Sequence, residues 1–132
     1  MDPNLYSSLA NRASDLVEAG KHQRAIDILE KLVESDLPDF DKAVMQLNIA
    51  TVQGKMGDHE GALASYATAL DFEGRTDGYF VAQQYAAYLA QLGRYADSIT
   101  VYQGLIERPN LKPESREMFV ANVATLQDLA RG

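Results

Sequence analysis

The chain has no cysteine and no tryptophan among its 132 residues, and only four prolines. Without cysteine there is no disulfide framework, no thiol nucleophile, and no cysteine-ligated zinc or iron–sulfur site. Positive charge is scarce: 12 Lys and Arg against 19 Asp and Glu leave a formal charge of −7. A surface of that sign repels a phosphate backbone, so nucleic acid is not an expected partner. Long apolar runs are missing too. The longest, Tyr85 to Ala90, falls far short of the ~20 residues that span a bilayer, so no membrane insertion is expected. The start, Met1-Asp2-Pro3, has no basic segment leading into an apolar one. No signal peptide is read there, and a cytoplasmic location is the default. Nor is there a sustained period-2 alternation, and Asp77-Gly78 sits in the polar stretch "DFEGRTDG" rather than between alternating apolar residues. Both points argue against β-structure.

What is present is a folded protein's composition, 46% apolar and 23% charged, in a chain long enough to bury a core without covalent staples. It also repeats itself. "LVEAGKHQRAIDILEKLVE", "VQGKMGDHEGALASYATAL" and "YLAQLGRYADSITVYQGLI" align on Gly20, Gly57 and Gly93, spaced by 37 and 36 residues. Seven residues before each glycine stand Ala13, Ala50 and Ala86, and five after stand Ala25, Ala62 and Ser98. Nine after come Leu29, Tyr66 and Tyr102, and twelve after come Leu32, Ala69 and Leu105. A partial fourth copy follows, since "NIATVQ" at 48–53 returns as "NVATLQ" at 122–127.

Each column has a physical cause. A glycine between two apolar helical stretches supplies the left-handed residue that ends a helix. Small residues on either side let two helices approach closely. Apolar residues at helical spacing after the glycine give the second helix its buried face. Each unit therefore reads as helix, tight turn, helix. The chain is expected to be all-α, with seven helices near 4–19, 22–35, 40–56, 59–72, 78–92, 95–108 and 114–130. Asp58 is the expected N-cap of the fourth, and Pro113 suits the first turn of the last. Phe119, Val123, Leu126 and Ala130 form the expected buried stripe of that last helix, with Glu117, Asp128 and Arg131 facing water.

This pattern resembles the tetratricopeptide repeat, whose unit is an antiparallel helix pair of about 34 residues. The matches are Ala13/Gly20/Ala25/Leu29, Ala50/Gly57/Ala62/Tyr66/Ala69 and Ala86/Gly93/Ser98/Tyr102. The resemblance implies one domain over 1–132, a right-handed α-solenoid with repeats near 6–38, 42–75 and 78–111 and a capping helix near 114–130. The family's early Trp is absent, with Leu9, Gln46 and Ala82 in its place, and Arg12 and Gln53 occupy columns that are usually apolar.

No constellation of residues points to catalysis. "GKMGDHEG" at 54–61 lacks the order of a phosphate loop. His22 and His59 share one column with Tyr95 and read as turn residues rather than ligands. No base is placed to activate a nucleophile. The chain is therefore read as no enzyme, with no metal and no cofactor. The resemblance implies instead a concave groove lined by first helices, at Asn11, Ser14, Leu47, Asn48, Thr51, Phe80, Gln83, Gln84, Ala87 and Asn122. Asn11, Asn48, Gln84 and Asn122 form one carboxamide column, and a carboxamide can donate and accept at once along an extended peptide backbone. The family's binders of acidic C-terminal tails surround such asparagines with cations. Here Ala10, Phe80 and Gln84 stand where those cations would be, so desolvated carboxylates would go uncompensated. The expected partner is a protein or peptide, neutral or basic and not an acidic tail, carrying an apolar side chain to meet Leu47 and Phe80. The alternatives are a self-associating scaffold, a homo-oligomer motivated by Met118 and Leu129 on the last helix, or a fragment of a longer array.

Overall fold

The computed structural model describes residues 2–132, and among them every regular element is a helix. In chain order these are α1 (Pro3–Glu18), α2 (His22–Glu34), α3 (Asp39–Lys55), α4 (His59–Glu73), α5 (Phe80–Gln91), α6 (Tyr95–Ile106) and α7 (Pro113–Arg131). The contacts divide the chain into two compact units. The first ends at Val81, and the second is Ala82–Gly132.

The helix ends follow local chemistry. Asp2 and Asp58 accept the backbone N–H of Asn4 and Gly61 through their side chains, which caps α1 and α4. Pro3 and Pro113 occupy first turns, where a missing N–H costs nothing. Gly20, Gly57 and Gly93 have φ of 77°, 82° and 79°, and no other residue has positive φ among those described. Each glycine closes the same turn. The N–H of Lys21, Asp58 and Arg94 reaches back to the carbonyl of Leu16, Gln53 and Leu89 at 2.8–2.9 Å. The glycine N–H bonds Val17, Gly54 and Ala90 in turn. This is the Schellman arrangement, which satisfies the last carbonyls of one helix and aims the chain into the next.

The small columns are the closest helix crossings. Ala13, Ala25, Ala50, Ala62, Ala86 and Ser98 are all at most 2% exposed. In the second unit the approach is close enough for the Ser98 hydroxyl to donate to the Ala86 carbonyl at 2.7 Å. In the first unit the core joins Ala13 of α1, Ala25, Ile26, Leu29 and Leu32 of α2, and Met45, Ile49 and Val52 of α3. Two columns that break the apolar rule find their reasons here. Gln53 accepts a 2.6 Å hydrogen bond from the buried Ser65, so a matched polar pair replaces the Leu/Ile and Leu/Val found at the same columns elsewhere (Leu16 and Ile28, Leu89 and Val101). On α1, Ser8, Arg12 and Asp15 are exposed where α3 buries Met45, Ile49 and Val52. The α3 residues have a preceding helix pair to pack against, and the α1 residues do not.

Two sequence expectations need correction. The fifth helix begins at Phe80 rather than 78, because Glu73 organises the residues before it. The Glu73 carbonyl accepts both the N–H and the hydroxyl of Thr76, and its buried carboxylate accepts the Val81 N–H at 2.6 Å. That carboxylate serves the start of α5 as a cap would. Ala130 is exposed, although Phe119, Val123 and Leu126 are buried as expected. At 1.5 Å per residue, the 19 residues of α7 extend about 10 Å beyond the 12 of α6. The last turn of α7 therefore has nothing to bury against. Arg116 fastens the other end, donating to the carbonyls of Ile106 and Arg108 at the close of α6.

Candidate functional site

The first unit carries a pocket of about 260 Å³ built from three helices. Ala10, Ser14 and Val17 reach it from one face of α1, and Asn48, Thr51 and Lys55 from one face of α3. Leu29 of α2 closes its floor, and Glu18 and Lys55 place opposite charges at its mouth. The Thr51 hydroxyl donates to the Leu47 carbonyl at 3.1 Å, which leaves its lone pairs toward the pocket. The Asn48 carboxamide has no side-chain hydrogen bond to any described residue and is half-buried. Its donor and acceptor capacity is unspent.

The second unit carries a pocket of the same volume, lined by Ala87, Ala90, Tyr102, Asn122, Thr125 and Leu126. These are the columns of Ser14, Val17, Leu29, Asn48, Thr51 and Val52, displaced by 73 or 74 residues. The chemistry differs at one place. Where Leu29 stands in the first pocket, the second has Tyr102, stacked on Phe119 with ring centroids 5.5 Å apart. Burial holds the Tyr102 phenol above its usual pKa, and a hydrogen bond with Asn122 acts the other way. The second carboxamide is thus engaged by its own tyrosine.

Of the residues expected to line a groove, Ser14, Asn48 and Thr51 meet in the first pocket, and Ala87 and Asn122 in the second. Asn11 is exposed on α1 and Phe80 is 48% exposed at the start of α5, but neither lines a pocket. Gln83 and Gln84 are half-buried and line neither. Leu47 is a correction. It is 5% exposed, because α3 packs against both α2 and α4 and Leu47 is consumed in that packing. Leu29 and Tyr102 read in the sequence only as second-helix core. Their shared column, nine residues after the glycine, is the signal that marks them as pocket floor.

Among the described residues no three His, Asp or Glu side chains gather as a metal site, and no helix is long and apolar enough to cross a membrane. His22 keeps its Nδ1 buried without a partner at the first turn of α2. No protein-family model matches the chain, and no curated protein matches it.

Proposed function

We propose that this chain is a non-catalytic, tetratricopeptide-like interaction module, a right-handed solenoid of helix pairs that holds a segment of another protein. Three turns of one geometry at a spacing of 37 and 36 residues support the repeat reading. The observation that carries the binding reading is the unspent Asn48 carboxamide between Ser14 and Thr51, above an apolar floor. That combination suits an extended peptide, with its backbone against the carboxamide and an apolar side chain over Leu29 and Val17. The net charge of −7 favours a neutral or basic peptide over an acidic one.

The test is titration calorimetry with neutral and basic peptides of about ten residues that each carry one leucine. Binding that weakens about tenfold in Asn48→Ala, the loss of ~1.4 kcal/mol, supports the reading. Micromolar binding of an acidic C-terminal peptide that vanishes in Asn48→Ala would restore the acidic-tail reading, and peptide binding untouched by Asn48→Ala would remove this pocket from it.

A further inference from the structure

The terminal helix repeats the sequence of α3 but has half of its packing. α3 is covered by α2 on one side and α4 on the other, and the residues on its two faces, Met45, Ile49 and Val52 against Ala43, Leu47 and Ala50, are all buried. On α7 the counterparts of the first set, Phe119, Val123 and Leu126, are buried, with α6 packed against the helix. The counterparts of the second set, Glu117, Ala121 and Ala124, are exposed. Val120, beside them, is 51% exposed. Pro113, Arg116, Glu117, Val120 and Ala121 line a shallow hollow of about 500 Å³ along this face.

The charges on the face select what covers it. Glu117 stands near its start and Arg131 at its end, 14 residues or about 21 Å apart on the same side of the helix. Ala124 is midway between them in sequence. An antiparallel second α7, related by a two-fold axis at Ala124, would set Glu117 of each copy against Arg131 of the other. Val120 would lie against Gln127 and Ala121 against Asp128, with the two Ala124 residues allowing close approach at the centre. The α1 surface offers no equivalent match. Its exposed Ser8, Arg12 and Asp15 present no apolar residue to Val120.

We propose that the outer face of α7 is a homodimer interface, occupied by the α7 of a second copy in antiparallel register about Ala124. It is a surface distinct from the two pockets and does not depend on them. Asp128, already 3.4 Å from Arg131 within one copy, joins the cross-copy pair as a three-charge chain at each end.

Sedimentation of the full chain from 5 μM to 500 μM at low salt tests this, with the charge-swap variants Glu117→Arg and Arg131→Glu. Both residues are exposed, so neither change disturbs the fold. The wild-type chain should dimerise, and each variant alone should dimerise at least tenfold more weakly, because like charges then meet at both ends. An equimolar mixture of the two variants should recover the dimer, since each end regains an opposite pair. A chain that stays monomeric throughout overturns the proposal. So does a dimer that ignores both swaps, or a mixture that stays as weak as its parts.

Discussion

The pockets of the two units share their columns and differ in what their floor does to the carboxamide. Leu29 leaves Asn48 unbonded, whereas Tyr102 engages Asn122. The crossings differ in the same way: Ala50 faces a column of alanine at Ala62, whereas Ala86 receives a hydrogen bond from Ser98. In both places the second unit satisfies its polar groups internally, and the first leaves capacity at its surface. A repeat frame therefore fixes where side chains meet, and single residues within it decide which meeting place stays open.

The largest expected effect comes from breaking a crossing. Ala62→Leu puts three further carbons where exposure is 0% and should cost about 1–3 kcal/mol. Ser98→Ala removes only a hydroxyl and should cost about 0.5–1.5 kcal/mol. Urea midpoints of the two variants check that order, and an unchanged midpoint for Ala62→Leu would contradict the alignment of the repeats.

Next come the turns, where the two units should behave alike. A Cβ on Gly20, Gly57 or Gly93 would meet nothing within 4 Å, so the cost of alanine there is conformational alone, about 1–2 kcal/mol in each case. Thermal unfolding of Gly57→Ala and Gly93→Ala should give similar losses.

Those glycines and alanines are legible in the sequence because each answers a local demand: a left-handed φ, or a crossing too close for a larger side chain. What is not legible there depends on partners distant along the chain. Leu47 and Asn48 are adjacent on a helix covered from two sides, and no spacing rule says which is consumed. Glu73 reads as a charge in a solvated loop, yet its carboxylate holds the Val81 N–H. The bond between Tyr102 and Asn122 joins residues on two helices with a loop between them.

The pockets can be exchanged by one substitution. Leu29→Tyr would bring a phenol to Asn48 as Tyr102 is brought to Asn122, and should weaken peptide binding about tenfold, or ~1.4 kcal/mol. Asn122→Ala should change it less than Asn48→Ala does. Calorimetry with the leucine peptide checks both.

The smallest effect is in alkali. Burial raises the Tyr102 pKa above the ordinary 10.0, so the folded state keeps this proton where the unfolded chain has lost it. The stability so contributed is whole below about pH 10 and is lost as pH rises through the folded-state value. Tyr102→Phe should flatten part of the alkaline decline in urea midpoint. Tyr6, raised by burial and by nearby Asp41, should retain the rest.

The three glycine turns bear on how fast the chain finds its structure. Each bond from Lys21, Asp58 or Arg94 spans five residues, so a helical hairpin can close before any distant segment arrives. Loops that short form in well under a microsecond, and chains rich in such near-neighbour contacts fold in microseconds to milliseconds. With three starting points of one geometry, losing one should slow assembly without abolishing it, and the nucleus should shift to another turn.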